Sequence, residues 1–429
     1  MLLTRRLALF ALLLGGCACA APATDDAGLD AGRDAGRDAG RDAARPDASR
    51  DAGQDAALDA PRDGGPNDPE WVRLGGQPEG VDLYVARHPE RVLRVRWEPC
   101  GEGCLRAECP GTCGWLGGFV DGERRVAWVQ TPEHLQTAVL LDVDRGEAIA
   151  AWKLWDVEEP RGEAGAPVYG GGRVAISAYA YRPDGAVQLS TWAAPIDRAW
   201  LDLEPTYTLD VRSSLTITAN FVSATHQAWW LSPVAHLVLR NDAGTLRAIP
   251  GAGERGMVQS AHLVGDRVFY ELWADSIRVW TATVEEAPRV LIDASPGVVR
   301  DFRTDGRTMV WYQGYDYDPD TLRFGRLELW TAPLVTRAED LEAHRVPARV
   351  RGLILPVFGG SWVAMQGEGP TMDVFDLRDG SRRSWTPPDG GNVGVPPLYA
   401  TEEEILVSTT VGVFRIDPRL LPVVEPGGT

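Results

Sequence analysis

Residues 265–282 read GDRVFYELWADSIRVWTA and contain the unit on which the rest of this chain is built. Two apolar runs of strand length begin at Arg267 and Ile277, and the pair Gly265-Asp266 precedes the first run. Glycine before a segment rich in valine and aromatic residues is typical of a tight turn that leads into a β-strand. The stretch therefore predicts an anchor strand followed by a second strand of the same sheet.

This pair of strands recurs seven times from residue 115 onward. The anchor strands share a polar first residue followed by apolar residues, and they begin 40 to 54 residues apart, at Arg125, Arg173, His226, Arg267, Arg307, Ser361 and Glu404. A short outer strand follows most pairs, and an apolar segment before each anchor reads as an inner strand. Four strands per period of about 40–50 residues are typical of a β-propeller blade, because such a sheet buries its faces only against neighbouring sheets.

We therefore predict an all-β fold with a single β-propeller over residues 115–429, with seven four-stranded blades favoured and eight as the alternative. Residues 71–98 contain two further predicted strands, which either complete the last blade and so close the ring or form an extra blade. A pair of β-sandwiches is the competing fold, but it would not keep one unit in register seven times. The sixteen tryptophans are expected mainly in the core and between blades.

The rhythm of these repeats, together with strands of the Leu-Trp-Thr-Ala type at residues 329–332, resembles the periplasmic TolB-type and WD40-like propeller families. The resemblance covers residues 115–429 and implies a propeller domain. The recurring histidine and Trp-Asp signature of true WD40 repeats is absent.

The N-terminus has the pattern of an export signal. Arg5 and Arg6 precede an apolar run over residues 7–14 that is too short to span a bilayer, and Gly15-Gly16-Cys17 follows it. Leu14 to Cys17 resembles a bacterial lipobox, which implies a signal peptide over 1–16, a lipidated, palmitate-bearing Cys17 and attachment to a membrane. The second lipoprotein residue is not aspartate, which favours the outer membrane. The alternative is an ordinary cleaved signal in which Cys17 has no role.

Residues 17–69 are predicted to form a disordered tether. Between residues 25 and 69 there are twelve Asp and six Arg, with no aromatic or β-branched residue. Such a segment buries too little apolar surface to offset its ordering entropy. We expect a spacer, and the alternative of a Ca²⁺ or polysaccharide ligand is disfavoured by the interleaved arginines.

Four cysteines, Cys100, Cys104, Cys109 and Cys113, lie in the remaining segment, residues 70–114. In an exported protein they are expected to form two disulfides, with three pairings open. A zinc or iron–sulfur site is the alternative, but the spacing C-x3-C-x4-C-x3-C matches neither the usual zinc pairs nor a ferredoxin run. We therefore predict no cofactor.

Asp316, Asp318 and Asp320 alternate like the start of a Ca²⁺ loop, although the Gly and Glu of an EF-hand are missing from the later positions. They are weak metal candidates, and a solvated acidic turn is the favoured interpretation. The sequence contains neither H-E-x-x-H nor G-x-S-x-G, so no catalytic residue is assigned. A net charge of −18 without a basic cluster argues against nucleic acid as a partner.

Two functional hypotheses remain. The first is a lipid-anchored, non-catalytic binding or scaffold module for an envelope protein or polysaccharide. The second is a propeller hydrolase or lyase whose carboxylates and histidine come from several blades. A central funnel with converging Asp, Glu and His would favour catalysis, whereas a flat end face rich in Tyr and Trp would favour binding. Oligomeric state is not predicted.

Overall fold

The computed structural model describes residues 70–424 with short gaps, so the predicted signal peptide, Cys17 and the tether lie outside the described residues. The gaps are 78–82, 110–112, 122–123, 131–136, 155–161, 165–167, 182–185, 197–206, 213–215, 233–235, 250–256, 275, 319–322, 348–356, 368, 389 and 394–396. Within the described part of the chain, no helix is both long and apolar enough to cross a membrane.

The described residues form thirty-two strands and three single-turn 3₁₀ helices. The N-terminal strands are β1 (Trp71–Arg73), β2 (Leu83–Ala86), β3 (Arg96–Gly101) and β4 (Cys104–Glu108). The next strands are β5 (Gly114–Asp121), β6 (Arg124–Gln130), β7 (Thr137–Asp142), β8 (Glu147–Leu154), β9 (Gly162–Ala164), β10 (Val168–Gly170), β11 (Arg173–Tyr181), β12 (Ala186–Pro195), β13 (Tyr207–Arg212), β14 (Thr216–Val222), β15 (His226–Ser232), β16 (His236–Asn241) and β17 (Leu246–Ile249).

The second half of the chain continues in the same way. It contains β18 (Met257–Val264), β19 (Arg267–Trp273), β20 (Ile277–Ala282), β21 (Arg289–Ile292), β22 (Val298–Thr304), β23 (Thr308–Asp318), β24 (Arg323–Pro333), β25 (His344–Val346), β26 (Val357–Gly359), β27 (Trp362–Gln366), β28 (Met372–Asp376), β29 (Arg382–Trp385), β30 (Tyr399–Ala400), β31 (Ile405–Thr409) and β32 (Gly412–Ile416). The 3₁₀ helices are Pro89–Arg91, Ala338–Asp340 and Pro418–Leu420.

The strands form seven sheets, which we number in chain order. Sheet 1 has the order β1-β2-β8-β7-β6-β5, and sheet 2 has the order β10-β11-β12-β13 with β9 beside β11. Sheets 3 to 6 each contain four consecutive strands, from β14–β17 to β26–β29. Sheet 7 has the order β3-β4-β32-β31-β30, so it combines strands from both ends of the described chain.

Seven inner strands, one from each sheet, form a closed circle. β5, β10, β14, β18, β22, β26 and β30 each contact the inner strand of the next sheet, and β30 contacts β5. This arrangement confirms the all-β propeller and excludes two sandwiches. The prediction of seven or eight uniformly four-stranded blades is wrong, because only sheets 3 to 6 have four strands and no more.

The N-terminal strands are divided between two sheets. β2 pairs with β8 at the outer edge of sheet 1. β4 pairs with β32, where Cys104 lies opposite Ile416. The expectation that both strands predicted within 71–98 complete one blade is therefore wrong. The cysteine-rich segment supplies β4, because the free edge of β32 can be paired only by a strand from elsewhere in the chain.

The core lies between neighbouring sheets. One buried cluster joins sheets 1 and 2, and others join sheets 3 and 4, sheets 4 and 5, sheets 5 and 6, and sheets 6 and 7. Five of the largest fully buried side chains are tryptophans, namely Trp152, Trp192, Trp229, Trp311 and Trp362. Counted from the inner strand of each sheet, they lie on second, third and fourth strands. Tryptophan therefore packs between sheets as expected, but its position differs from one repeat to the next.

Candidate functional site

A cavity of about 1220 Å³ opens at one end of the ring, beside the turns that join inner strands to the strands that follow them. Its wall comes from sheets 1, 2, 4, 5, 6 and 7. Side chains far apart in sequence meet there, including Phe119, Tyr169, His262, Arg303, Phe358 and Leu398. A cavity at the axis of the circle is therefore the first candidate for a ligand site.

Glycines beside this cavity let inner strands approach one another. A Cβ atom on Gly359 would lie 1.9 Å from the carbonyl oxygen of Ala400 in sheet 7. One on Gly170 would lie 2.3 Å from the carbonyl oxygen of Val222 in sheet 3. Real Cβ contacts are never this short, so neighbouring inner strands pack backbone to backbone at these points.

An ion network joins sheets 7 and 1 at the same end of the ring. Glu404 accepts hydrogen bonds from Arg415 Nε at 2.8 Å and from the Tyr399 hydroxyl at 2.6 Å. Arg415 also contacts Asp144 of sheet 1 at 2.9 Å, and Arg125 of sheet 1 lies 3.3 Å from Glu404. Arg125, although it lines the cavity, is therefore neutralised by carboxylates.

Two other cations of the cavity wall lack such a partner. Arg303 lies on β22 and Arg307 on the turn that follows it. Neither makes an ion pair with any residue that the structure describes, and the Arg303 Nε atom is buried without a hydrogen-bond partner among those residues. Because that Nε atom is buried, it does not face the cavity, and this part of the wall takes its polar character from Arg303, Asp305 and Arg307 together.

Glu271 lies behind this wall, at the boundary between sheets 4 and 5. The residue is only 2% exposed, and its Oε1 accepts a hydrogen bond from the Phe302 amide at 2.6 Å. Burial raises the pKa of Glu271 to about 7, and the negative charge of Asp301 adds to the rise, while the hydrogen bond from the Phe302 amide opposes it. A carboxyl group with this pKa exchanges protons near neutral pH, as an acid–base catalyst must.

His262, on the neighbouring inner strand, contacts the same residue. Its Nε2 lies 3.0 Å from the Phe302 carbonyl oxygen, and the two rings meet edge to face at 5.8 Å. A carbonyl oxygen only accepts, so Nε2 carries the proton and Nδ1 is the acceptor of the ring. Burial, assisted by the positive charge of Arg303, lowers the pKa of His262 to about 3. The imidazole is therefore neutral at physiological pH.

Asp301 is the third ionisable residue near the boundary between sheets 4 and 5, and it lies in a β-bulge. The register of β22 against β23 shifts between Arg300 and Arg303, and Asp301 has a φ of 53°. Burial raises the pKa of Asp301, and the charges of Arg300 and Arg303 act in the opposite direction. Bulges re-aim side chains at the rims of barrels and beside active sites, so this bulge brings a carboxyl toward Glu271 that a regular strand would not.

The aspartates predicted as weak metal candidates are only partly described. Asp316 is exposed with a φ of 54°, Asp318 is the last residue of β23, and Asp320 lies outside the described residues. No group of three or more His, Cys, Asp or Glu side chains is placed to hold a metal ion within the described ranges.

The four clustered cysteines form two bonds between near neighbours in sequence. Cys100 is joined to Cys104 across the β3–β4 hairpin, with 5.2 Å between their Cα atoms. Cys109 is joined to Cys113, with 6.2 Å between Cα atoms, where the chain passes from sheet 7 into sheet 1. Both bonds stiffen the segment that closes the ring.

No family model and no curated protein matches this chain. Similar solved structures include an oligogalacturonate lyase from Vibrio parahaemolyticus, with a TM-score of 0.49 and 10% identity over 76% of this chain and 96% of that one. An oligogalacturonate lyase in complex with manganese has a TM-score of 0.48 and 13% identity over 77% and 96%.

A prolyl endopeptidase is a more distant match. Its TM-score is 0.41, with 12% identity over 79% of this chain and 52% of that one. Similarities this weak carry no argument about activity. The propeller assignment depends on the closed circle of inner strands, and the TolB-type and lipobox resemblances stay predictions.

Sequence reasoning missed the residues at the sheet 4–sheet 5 boundary. One signal was present: Glu271 is an acid inside the otherwise apolar anchor run VFYELW, at residues 268–273. The repeat places Trp230 and Trp311 at the equivalent position of the neighbouring anchors. No comparable signal marks Asp301 or His262, because a bulge and an inter-sheet contact leave no local pattern.

Proposed function

We propose that this protein is a lipid-anchored binding module of the bacterial cell envelope. The lipobox-like Leu14 to Cys17 supports a cleaved signal over 1–16, lipid on Cys17 and attachment to the outer membrane. Residues 17–69 would act as a spacer, and the propeller would bind an envelope protein or polymer through the cavity at the ring axis.

The observation that carries the binding proposal is the open cavity, whose wall brings Arg303, Asp305 and Arg307 of sheet 5 together with Glu402 and Glu403 beside sheet 7. Its polar groups converge with apolar side chains such as Phe119 and Phe358 on one concave surface. Such a surface provides orientation through a few polar contacts and affinity through apolar burial.

The binding proposal is tested by capture from an envelope extract. The full chain carrying Cys17→Ser would be the bait, with Arg307→Glu as the cavity variant and Arg345→Glu as a matched control on the outer strand β25. We expect Cys17→Ser alone and the Arg345 control to capture the same partner, and Arg307→Glu to lose it. Capture of nothing, or equal capture by all three baits, would refute the proposal.

The membrane anchor has its own test. In intact cells, Cys17→Ser should abolish palmitate labelling and release the protein from the membrane fraction. Unchanged labelling would show that Cys17 is not the lipidated residue, without affecting the assignment of the cavity.

A hydrolase or lyase is the second candidate, and Glu271 is the observation that favours it. Burial raises the pKa of Glu271 to about 7, and Glu271 and the neutral imidazole of His262 both hydrogen-bond to the Phe302 backbone, His262 being the one that lines the cavity. The test is turnover of isolated envelope polysaccharide or peptide, followed by the appearance of new chain ends. An enzyme should lose at least about a hundredfold in rate on Glu271→Gln. Absence of any turnover by the unmodified site leaves binding as the function.

A further inference from the structure

The charged side chains of the cavity wall balance one another. Three arginines and three carboxylates line it, namely Arg125, Arg303, Arg307, Asp305, Glu402 and Glu403. The Asp305 carboxylate accepts hydrogen bonds from the amides of Arg307 and Thr308, each at 2.8 Å. The Glu402 carboxylate accepts one from the Ser361 amide at 2.7 Å. Two of the three carboxylates are therefore engaged with the protein backbone.

The other charges of the wall also have neighbours of opposite sign. Arg125 lies 2.8 Å from Asp144 and 3.8 Å from Glu403. The positive charge of Arg303 lowers the pKa of Asp301 against the effect of burial, so these two side chains interact. A wall of this kind offers many donors and acceptors but no net charge, and it does not favour an anion or a cation as ligand.

His262 supplies an acceptor whose direction is fixed. Its Nε2 donates to the Phe302 carbonyl oxygen at 3.0 Å, which leaves Nδ1 as the acceptor of the ring. Nδ1 makes no hydrogen bond with any residue that the structure describes, and His262 lines the cavity. Burial lowers the pKa of His262 to about 3, so the ring accepts a hydrogen bond at neutral pH without taking up the proton. The ligand of this cavity should therefore present a donor.

Apolar side chains surround the same space. Phe119 of sheet 1, Phe358 of sheet 6 and Leu398 before β30 line the cavity, and all three are half-buried. The cavity volume of about 1220 Å³ exceeds the roughly 300–1,000 Å³ of pockets for single small molecules. There is room for several linked units, each with an apolar face as well as polar groups.

We propose that the cavity binds an uncharged oligosaccharide, with a sugar hydroxyl donating to His262 Nδ1 and a sugar ring packing on Phe358. A hydroxyl oxygen both donates and accepts, so it can meet the neighbouring arginines and carboxylates of the wall equally well. The C–H face of a sugar ring is apolar and is buried favourably on an aromatic side chain. A polyanion would instead meet the carboxylates of the wall. This inference rests on the proposed binding function of the cavity and names the ligand class.

The experiment uses an array of neutral di- to hexasaccharides built from hexoses and N-acetylhexosamines. Oligouronates of the same lengths and pentapeptides are fixed to the same surface, and the full chain with Cys17→Ser is the probe. We expect binding to at least one neutral series and not to the uronates or the peptides. The affinity should change less than about twofold between about 50 and about 500 mM salt, because no net charge is neutralised.

Variants locate the contact. His262→Phe keeps an aromatic ring but removes the acceptor, and it should weaken binding at least about tenfold. His262→Gln keeps both an N–H group for the Phe302 carbonyl and an oxygen acceptor, so it should stay within about threefold of the parent. His344→Phe is the matched control on the exposed face of β25 and should change nothing.

A second variant tests the apolar part of the wall. Phe358→Ala should weaken binding several-fold while the His262 contact stays in place. The circular dichroism and melting temperature of each variant, compared with those of the parent, separate loss of the contact from loss of the fold.

The inference would be overturned if no neutral oligosaccharide bound, if high salt abolished binding, or if His262→Phe bound as well as the parent. Equal losses in His262→Phe and His262→Gln would also overturn it, because the acceptor would then have no role. Binding of oligouronates or peptides in place of neutral sugars would refute the ligand class but leave the proposed binding function standing. Failure of the whole array and of the envelope extract would remove both.

Discussion

Glu271→Gln isolates the energetic effect of the buried carboxyl. Glutamine has nearly the same shape and keeps an oxygen that can accept the hydrogen bond from the Phe302 amide, now 2.6 Å from Glu271. What the substitution removes is the ionisation. In the folded chain the pKa of Glu271 rises from 4.5 to about 7, chiefly because of burial. In the unfolded chain it returns to the ordinary value.

The sign of the pH dependence follows from these two pKa values. Below the unfolded pKa the carboxyl is protonated in both states and has no effect on the pH dependence of folding. As pH rises through the window from about 4.5 to 7, the unfolded state loses its proton first, so the folded state loses stability. Above pH 7 the full difference is present, and at 1.36 kcal/mol per pKa unit it is about 3 kcal/mol.

The assay is urea unfolding of the Cys17→Ser parent and of the same chain with Glu271→Gln, from about pH 5 to 8.5, without reductant. All other ionisable groups except the neighbouring Asp301 cancel in the difference between the two free energies. We expect glutamine to gain about 2–3 kcal/mol relative to glutamate across this range. A difference that stays flat within about 0.5 kcal/mol would refute the reasoning that Glu271 is desolvated in the folded state.

Three further outcomes test the closure of the ring and the packing of its axis. Glu404→Gln should lower the free energy of unfolding by about 3 kcal/mol, because Arg415 loses one of its two charged partners and keeps only Asp144, and high salt should destabilise the parent more than the variant. Replacing Cys100 and Cys104 by serine should lower it by about 2 kcal/mol through the lost cross-link, measured by urea unfolding against the parent with both proteins kept free of reductant. Gly359→Ala should lower the melting temperature by an amount equivalent to about 1–3 kcal/mol, because its new methyl group meets the Ala400 carbonyl; an unchanged melting temperature would contradict the close approach.

The anchor strands could be predicted because their pattern is local. At every place where a polar residue after a turn is followed by alternating or continuous apolar residues, the structure has a strand of five to eleven residues, as in β19 from Arg267 to Trp273. Because each repeated sheet is apolar on both faces, it must pack against a neighbouring sheet on each side, and a closed ring of sheets satisfies this for all of them.

The partners of the end strands could not be predicted in the same way. The sequence of β4 looks like part of a cysteine-rich loop. It forms a strand because it pairs with the free edge of β32, which lies far along the chain. Non-local pairing of this kind leaves no trace in a short window. The same limit applies to the candidate site. Arg303 and His262 belong to different sheets, and they line the same cavity only because those sheets are neighbours in the folded ring.

The shared last sheet has a consequence for how this protein is made. The Arg106 side chain contacts Val411, 305 residues later in sequence. The β3–β4 hairpin therefore cannot pair with β32 until almost the whole chain has been synthesised. Until then, the strand edges of the hairpin and of the growing last sheet that would pair with each other stay unpaired. If the hairpin of one molecule pairs first with β32 of another, the circle closes between two copies as an exchanged dimer, and a high local concentration of newly made chains would favour that product.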